Sequence, residues 1–536
     1  MTMRAVGAFE LKSLLRSDGE LALIDVREDV EFHASHLLFA VNIPLSLLER
    51  MIDDLVPRRG APIVVCDAGG GLAERAVRRL EWLGFTDVTM LDGGISGWER
   101  SGGVLFAGSN VPSKAFGEFV EHACETPRIT AEDLKAKIDR GDDLVILDSR
   151  PWDEYRIMSI PGGQCCPGAE LAYRARDAVR SPDTLVVVNC AGRTRSIIGA
   201  QSLINAGLPN RVVALKDGTM GWELAGYAVA RNAERRAPSV SEAGLAGARA
   251  AAIDVAARAG VRRIDAASLD RFRAERDSRT LHVLDVRTPE EYESGHPYDA
   301  VHAFGGQLVQ ATDRYVAVRG ARLVLVDDTE ARASMSASWL RQMGWDEVYV
   351  LEGGIAGQRL ETGARRTRLL GLDRVSPPTV AAQSLKHELD GGRAVLVDLA
   401  DPRRFKRSHI AGAWYAVRSK LPSGLERFGE DMRLVFTSSD GRFARLAAAE
   451  VGEAARRPAA ALEGGTAAWQ AAGFPMEQGE ERLLHPRIEP WSPYDETHRT
   501  RQSMLDYLSW EVELNDRIKK DGDARFRMLA PAVSGS

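Results

Sequence analysis

The sequence has few cysteines and no long apolar run, and these absences exclude several classes of protein. Five cysteines occur in 536 residues. Because their number is odd and no CxxC pair is present, we expect neither a disulfide framework nor a structural metal site. No run of about 18 apolar residues occurs, so no membrane-spanning helix is expected. We therefore expect reduced thiols and no bound metal.

An excess of charge of one sign is also missing. The formal net charge of -6 gives no reason to expect binding to nucleic acid or to an anionic membrane. Charged residues interrupt every apolar run of residues 1–20, so a secretory signal is not expected there. The sequence therefore predicts a cytoplasmic globular protein without a cofactor.

One pattern of residues occurs four times along the chain. Each copy has an apolar strand that ends in an acidic residue, a second apolar strand, a helix and a glycine-rich closing segment. These closing segments are MLDGGISGW, ALKDGTMGW, LEGGIAGQ and LEGGTAAW. Short apolar runs without alternation are typical of strands covered on both faces, and helices between them predict parallel βαβ units. We therefore predict four α/β domains, each a small parallel sheet flanked by helices.

The repeat also sets the domain boundaries. Domains 1 to 4 are predicted at residues 1–107, 128–231, 262–362 and 374–477. Each has about 100 residues, which is enough for a core of its own. Three connectors lie between them, at residues 108–127, 232–261 and 363–373, and the Ala-rich second one is expected to hold a helix. Residues 478–536 are expected to form an extended segment and a helix that docks on the body, or else a surface for a partner.

A loop in domain 2 carries the residues that indicate a chemistry. It follows the apolar strand LVVVN, precedes a helical pattern, and consists of Cys190, Ala191, Gly192, Arg193, Thr194, Arg195 and Ser196. Such a loop directs backbone N–H groups and the helix dipole at the sulfur, and its two arginines add positive charge. We therefore expect a lowered pKa for Cys190 and a binding site for an anion beside it.

This C-x4-R loop resembles the active-site loop of rhodaneses, the thiosulfate sulfurtransferases. The Asp148–Arg150 pair and the Asp217-Gly218 closing motif resemble further markers of that family. The resemblance extends from about residue 6 to residue 477 and implies four tandem rhodanese-like domains. It also implies that the Cys190 thiolate takes the outer sulfur of thiosulfate and passes it from a persulfide to cyanide or a thiol.

The resemblance assigns roles to the residues around the cysteine. Cys190 and Arg195 are expected to be catalytic, with Arg195 holding the shape of the loop. The residues expected to bind the donor are Ala191, Gly192, Arg193, Thr194 and Ser196, with Arg193 as a direct anion contact. Asp148 and Arg150 are expected to support the loop.

The other three domains depart from this loop pattern. When the preceding strands are aligned, domain 1 keeps a cysteine, Cys66, but has glycine in place of the arginine, which makes Cys66 a possible second site. Domain 3 has Asp327 before Arg332, and domain 4 has Thr437 before Arg442. Since neither side chain can form a persulfide, we predict that domains 3 and 4 are inactive. They would contribute packing, a lid, or a surface for a protein partner. Domains 1 and 2 are expected to pair, and domains 3 and 4 to form a degenerate copy of that pair.

Several alternatives accompany this interpretation. Cys165 and Cys166 are taken as packing thiols, with a sulfur relay from Cys190 as the alternative. A cysteine phosphatase or arsenate reductase needs a C-x5-R loop, one residue longer than the loop here. The donor could be 3-mercaptopyruvate, although two loop arginines favour thiosulfate. A non-enzymatic scaffold with rhodanese-like folds is the remaining alternative.

Overall fold

The computed structural model describes residues 3–455, 457–486 and 499–530. Domain 1 contains β1 (Ala5–Val6), α1 (Ala8–Arg16), β2 (Leu21–Asp25), α2 (Asp29–Ala34), β3 (Val41–Asn42), α3 (Leu48–Leu55), β4 (Ile63–Cys66), α4 (Leu72–Trp82), β5 (Val88–Leu91) and α5 (Gly94–Arg100). A connector helix, α6 (Val111–Cys124), leads to the second domain. 

Domain 2 contains β6 (Arg128–Ile129), α7 (Ala131–Arg140), β7 (Leu144–Asp148), α8 (Trp152–Ile157), β8 (Gln164–Cys165), α9 (Gly168–Ala178), β9 (Leu185–Asn189), α10 (Thr194–Asn205), β10 (Val212–Leu215) and α11 (Gly218–Leu224). The Ala-rich connector forms α12 (Glu242–Arg258), which begins where the Ser241 hydroxyl accepts a hydrogen bond from the Gly244 N–H.

The second half of the chain repeats this order of elements. Domain 3 contains β11 (Arg262–Ile264), α13 (Ala266–Ala274), β12 (Leu281–Asp285), α14 (Pro289–Ser294), β13 (His296–Pro297), β14 (Val301–His302), α15 (Gly305–Gln310), β15 (Val318–Arg319), β16 (Arg322–Val326), α16 (Ala331–Gln342), β17 (Val348–Leu351) and β18 (Leu360–Glu361).

Domain 4 contains β19 (Thr379–Val380), α17 (Ala382–Asp390), β20 (Ala394–Asp398), α18 (Pro402–Arg407), β21 (His409–Ile410), β22 (Trp414–Tyr415), β23 (Arg433–Thr437), α19 (Arg442–Ala455), β24 (Ala459–Leu462), α20 (Gly465–Ala471) and β25 (Met476–Glu477). The C-terminal helix is α21 (Arg501–Asp521). Among the described residues, no helix combines the length and the apolar character needed to cross a bilayer.

The four main sheets share one topology, which confirms the predicted α/β architecture. Their strand orders are β1-β5-β4-β2, β6-β10-β9-β7-β8, β11-β17-β16-β12-β14 and β19-β24-β23-β20-β22. The strands within these orders are parallel. The central strands are buried along almost their whole length, because helices cover both faces of each sheet. The loops at the carboxyl ends of these strands are where such sheets bind ligands.

The packing of the domains differs from the predicted pairing. Domain 2 packs against domain 3, where the Trp339 indole N–H donates to the Ser202 hydroxyl at 2.8 Å. A Cβ on Gly168 would lie 2.8 Å from the Gly306 Cα, so two glycines allow the close approach of α9 and α15. Domain 1 packs against domain 4 through the Arg418–Glu49 ion pair, at 2.6 Å. The prediction of a 1–2 pair and a 3–4 pair is therefore wrong for the arrangement in space.

Domain 1 does not complete its sheet alone. The β15 strand of domain 3 lies antiparallel beside β2, with Val318 opposite Ala22 and Arg319 opposite Leu21. One hydrophobic core continues from domain 1 through α6 and α10 into domain 3.

The C-terminal helix lies on the body of the protein. The side chain of Arg517 donates to the Leu105 carbonyl at 3.0 Å, and the Trp510 ring covers Gly108. Arg499, just before the helix, forms an ion pair with Glu223 of domain 2. Part of the extended segment predicted before this helix, residues 487–498, lies outside the described residues.

Candidate active site

Backbone hydrogen bonds from the closing motif of the same repeat hold the loop of domain 2 in place. The Thr219 N–H donates to the Cys190 carbonyl at 2.9 Å, and the Met220 N–H donates to the Ala191 carbonyl at 3.0 Å. Gly218 has a φ of +56°, and a Cβ at this position would lie 2.4 Å from the Cys190 carbonyl oxygen. Only glycine therefore fits beneath the loop, which explains the glycine that each repeat carries at this point.

The Cys190 thiol is buried at the end of β9. The residue is 2% exposed, and its Sγ lies 3.5 Å from the Ser196 hydroxyl, which in turn donates to the Arg193 carbonyl at 2.7 Å. Burial raises the pKa of this thiol, and the Glu511 carboxyl adds to that rise, while Arg195 and the Ser196 hydroxyl oppose it. The predicted lowering of the Cys190 pKa is therefore wrong, because burial outweighs the opposing effects of Arg195 and Ser196.

Arg193 is fully engaged by carboxylates. Its guanidinium is bound to Glu118 at 2.8 and 2.7 Å, to Glu121, and to Asp217 at 3.1 Å. Glu118 and Glu121 belong to the connector helix α6, and Arg193 itself is only 6% exposed. The prediction that Arg193 contacts an anion directly is therefore wrong, since its charge is neutralised within the protein.

Arg195 faces the opening of the site. Its guanidinium donates to Glu154 at 3.1 and 2.7 Å and to the Gln307 side chain of domain 3 at 3.2 Å. It lines a cavity of about 1140 Å³ to which all four domains contribute. Lys114 and Tyr507 line the same cavity.

Asp148 and Arg150 form a buried pair behind the loop. Two parallel hydrogen bonds of 2.9 and 2.6 Å join the guanidinium to the carboxylate, and Arg150 also donates to the Met158 carbonyl at 2.6 Å. The Asn189 side-chain amide donates to Asp148 at 3.0 Å. This network fixes the end of β9, directly before Cys190.

The strand registers correct the alignment of two loops. Asp148 lies opposite Asn189 in domain 2, and the equivalent residues opposite the strand-end aspartates are Cys66, Val326 and Thr437. Cys66 and Thr437 are thus the last residues of their strands, equivalent to Asn189. The residues equivalent to Cys190 come one position later, and they are Asp67, Asp327 and Ser438. The hydrogen bonds that reach their carbonyls from the closing motifs agree with this assignment.

Two predicted assignments change as a result. Cys66 is fully buried in the core of domain 1, where burial raises the pKa of its thiol well above the usual value, so it is not placed as a second active site. In domain 4, Ser438 instead of Thr437 takes the cysteine position, and Phe443 instead of Arg442 takes the position of Arg195. Only the assignment of domain 3, with Asp327 and Arg332, has the register that the sequence indicated.

The loops of domains 1 and 3 show what this backbone geometry binds. The Asp67 carboxylate accepts hydrogen bonds from the N–H groups of Gly69, Leu72 and Ala73 at 2.8 to 3.1 Å. The Asp327 carboxylate likewise accepts bonds from the N–H groups of Glu330, Arg332 and Ala333, of which the last two are equivalent to those in domain 1. Each loop therefore closes around an anion supplied by its own first residue, whereas domain 2 presents a sulfur atom to the same turn.

The C-terminal helix covers the loop of domain 2. Met504 and Leu508 pack on Ala191. The Thr194 hydroxyl lies 3.5 Å from a Glu511 carboxyl oxygen, and the Tyr507 hydroxyl donates to the same oxygen at 3.0 Å. Sequence reasoning placed this helix on the body but missed that it supplies residues to the site. The only signal was the pattern of Met504, Leu508 and Glu511 on one helical face.

Cys165 and Cys166 take no visible part in this arrangement. Cys165 Sγ lies 3.5 Å from the Arg150 carbonyl, and Cys166 belongs to the core of domain 2. Burial raises the pKa of Cys165 to about 12 and that of Cys166 well above the usual value. Two such thiols carry little thiolate at neutral pH.

Similarity to known proteins covers 98% of the chain. Residues 8–101, 130–225, 268–359 and 381–472 match the family described as rhodanese-like domain. The chain is similar to the crystal structure of a thiosulfate sulfurtransferase from Pseudomonas aeruginosa, with 46% identity over 98% of this chain and 100% of that chain and a TM-score of 0.95. 

Two proteins of Bacillus subtilis (strain 168) match shorter segments. A putative sulfur carrier protein, YrkF, is 27% identical over 136 residues, which is 24% of this chain and 72% of that protein. An uncharacterized protein, YqhL, is 37% identical over 76 residues, which is 14% of this chain and 59% of that protein.

Proposed function

Because the chain belongs to the rhodanese-like domain family, we propose that it is a sulfurtransferase that carries sulfur on Cys190. One observation supports this above all others. Of the four equivalent loop positions, only that of domain 2 holds a cysteine, and the other three hold Asp67, Asp327 and Ser438. A carboxylate or a hydroxyl cannot form a persulfide, so one site per chain is expected.

The proposed reaction has two steps on one sulfur atom. The Cys190 thiolate attacks the outer sulfur of the donor, and a new S–S bond forms. The bond between that sulfur and the rest of the donor breaks, and its electron pair leaves with sulfite when the donor is thiosulfate. A thiophilic acceptor then attacks the outer sulfur of the persulfide and returns Cys190 as a thiolate. The Ser196 hydroxyl lies 3.5 Å from Sγ and would donate to the thiolate by turning its O–H away from the Arg193 carbonyl.

Thiosulfate is the donor that we propose. The similar protein from Pseudomonas aeruginosa is a thiosulfate sulfurtransferase. In this chain Arg195 lines the cavity that reaches the loop and favours the anionic state of Cys190. Since Arg193 is bound to three carboxylates, the preference for thiosulfate over 3-mercaptopyruvate rests on one arginine instead of two.

The acceptor that we propose is a thiol in the cell, with cyanide as its substitute in an assay. A cavity of about 1140 Å³ is large compared with either molecule. A cytoplasmic location suits an enzyme with five free cysteines, because a reducing compartment keeps thiols available. Domains 1, 3 and 4 would then shape this cavity, and domains 3 and 4 could also present a surface to a protein partner.

The experiment treats the purified protein with thiosulfate and measures the mass of its peptides. We expect a gain of about 32 Da, one sulfur atom, on the Cys190 peptide alone. Cyanide should then remove the added mass and release thiocyanate. Cys190→Ser should give neither result, whereas a scaffold would give neither result already in the wild type. A parallel reaction with 3-mercaptopyruvate tests the alternative donor, and one with an aryl phosphate tests the alternative that the protein is a phosphatase.

A further inference from the structure

A carboxyl group of the C-terminal helix is buried against the loop that holds Cys190. Glu511 is 2% exposed. Its Oε1 accepts a hydrogen bond from the Tyr507 hydroxyl at 3.0 Å and lies 3.5 Å from the Thr194 hydroxyl. Its Oε2 is buried, has no hydrogen-bond partner, and lies 3.1 Å from the point where a Cβ of Gly192 would stand. The unpartnered oxygen is thus directed at the backbone of the active loop.

This geometry favours a protonated carboxyl group. A buried carboxylate oxygen without a hydrogen-bond donor is costly, whereas a carboxylic acid carries its own proton on that oxygen. Burial has the same effect and raises the pKa of Glu511, against the lowering by Lys114, the Tyr507 hydrogen bond and Arg193, while Glu118 adds to the rise. Burial also lowers the pKa of Lys114 to about 8, so this lysine stays mostly charged at neutral pH and loses its charge in mildly alkaline solution.

We propose that Glu511 determines which sulfur donors reach Cys190, because only its neutral form admits an anion to the loop and gives the anion a hydrogen-bond donor. This inference rests on the proposed function. The O–H on Oε2 would donate to a sulfonate oxygen of thiosulfate while the outer sulfur lies at Cys190 Sγ. Once Glu511 is ionised, the same oxygen repels the dianion.

The inactive loops support this assignment from within the same chain. In domains 1 and 3 a carboxylate occupies the loop permanently, at Asp67 and Asp327, and no second anion can enter. In domain 2 the carboxyl group comes from outside the loop and is held by Tyr507 and Thr194. When Glu511 ionises, a carboxylate would lie at the loop of domain 2, as carboxylates already do in the loops of domains 1 and 3.

The pH dependence that follows has a definite sign. The titratable and charged groups around Glu511 are Lys114 and Glu118 of α6, Cys190, Arg193 and Arg195 of the loop region, and Tyr507 of its own helix. Ionised Glu511 raises the pKa of Cys190, so it opposes both binding of the donor and formation of the thiolate. We therefore expect kcat/KM for thiosulfate to fall as pH rises through the pKa of Glu511.

The test compares Glu511→Gln with Glu511→Ala and with Glu513→Gln, an exposed position on the same helix. The amide keeps a hydrogen-bond donor and cannot ionise. We expect Glu511→Gln to keep the low-pH value of kcat/KM within about threefold and to lose the fall at high pH. Glu511→Ala should raise KM about tenfold at low pH, because the hydrogen bond to the donor is gone, and it should also lose the fall at high pH. Glu513→Gln should reproduce the wild-type profile.

A second measurement does not depend on turnover. The Cys190 thiolate is titrated through its rate of alkylation by iodoacetamide, with circular dichroism as the check on folding. We expect the Cys190 pKa to be lower in Glu511→Gln than in the wild type. A Gln variant with the pH profile and thiol pKa of the wild type, or one as impaired as the Ala variant, overturns the role of Glu511. A wild type that transfers no sulfur from thiosulfate instead overturns the proposed function.

Discussion

Domains 2 and 3 face each other with the same loop geometry but opposite electrostatics. Arg195 and Arg332 take equivalent positions, and each binds a glutamate of its own domain, Glu154 or Glu291. Across the interface, Arg195 meets the neutral side chain of Gln307, whereas Arg332 meets the carboxylate of Glu170 at 2.9 Å. The equivalent arginines thus differ in how far their charge is neutralised.

The first residue of each loop enlarges this difference. Arg332 is fully buried and lies near four carboxylates, which belong to Glu170, Glu291, Asp327 and Asp328. In domain 2 a thiol, Cys190, replaces the aspartate at the start of the loop. The comparison teaches that a single turn can serve as a structural brace when it supplies its own anion. The same turn can serve as a reactive site when it presents a sulfur atom instead.

The largest effect should come from removing that sulfur. Cys190→Ser is expected to reduce transfer of sulfur from thiosulfate to cyanide on the order of 10³-fold or more, because the hydroxyl cannot carry sulfur. Release of thiocyanate is the measurement. Cys66→Ser serves as the matched control and should keep near wild-type transfer, since Cys66 is the last residue of a core strand. Loss of transfer in Cys66→Ser to the same degree would contradict the comparison.

Substitution of Arg195 should affect catalysis, whereas substitution of Arg332 should affect stability. Arg195→Met is expected to lower kcat/KM about tenfold to a hundredfold, because a cation that favours the thiolate is lost. Arg332→Met should instead cost about 3–5 kcal/mol of stability, because buried carboxylates lose their partner, and should leave transfer by the folded protein unchanged. Steady-state kinetics and thermal unfolding separate the two effects. If Arg332→Met lowers kcat/KM as much as Arg195→Met does, the loops are not specialised as we describe.

Domain 4 extends the comparison to the residues behind the loop. Asp398 has no arginine two positions later, where domains 1 to 3 have Arg27, Arg150 and Arg287, and burial raises the pKa of Asp398 to about 6. Because this folded-state pKa lies above the unfolded value, the wild type should lose stability as pH rises from about 4 to about 6. Asp398→Asn should remove that loss and be more stable at neutral pH by at most about 3 kcal/mol.

Calorimetry across this pH range measures the effect at Asp398. The matched control is Asp285→Asn in domain 3, where Arg287 binds the carboxylate at 2.6 Å. That variant should be destabilised at neutral pH, because the arginine loses its partner. The idea is wrong if Asp398→Asn unfolds with the same pH dependence as the wild type.

The smallest effect should come from giving domain 2 the charge of domain 3. Gln307→Glu places a carboxylate next to Arg195, as Glu170 lies next to Arg332. We expect KM for thiosulfate to rise about threefold, since an added negative charge at a partly exposed site has a modest effect. The reciprocal Glu170→Gln should leave KM unchanged. An unaltered KM in Gln307→Glu would mean that the charge on Arg195 does not contribute to donor binding.

The sequence was sufficient for the architecture and for locating the loop in which we propose the reactive residue. Strand patterns and closing motifs repeat four times, and a cysteine between a buried strand and a helix is a local feature. The loop alignment failed by one residue in domains 1 and 4, because an apolar strand does not mark its own last residue. Cys66 was therefore aligned with Cys190, although the residue of domain 2 equivalent to Cys66 is Asn189.

Other errors came from contacts between residues far apart in the chain. The carboxylates that neutralise Arg193 lie 75 and 72 residues away, in a connector that showed no repeat pattern. The carboxyl group beside Gly192 comes from the C-terminal helix. Both change the electrostatics of a loop whose own sequence is strongly basic. A local motif therefore located the site, but its charge balance depends on tertiary structure.

The pairing of β15 from domain 3 with β2 of domain 1 has a consequence for biosynthesis. The edge of β2 is covered by Val318 and Arg319, which the ribosome adds about 300 residues after Leu21 itself. Until then, nascent domain 1 carries an open strand edge that can pair with another chain. A fragment ending before residue 318 should keep that edge permanently and tend to self-associate. Expression trials of domain 1 should therefore use fragments that extend through the whole of domain 3.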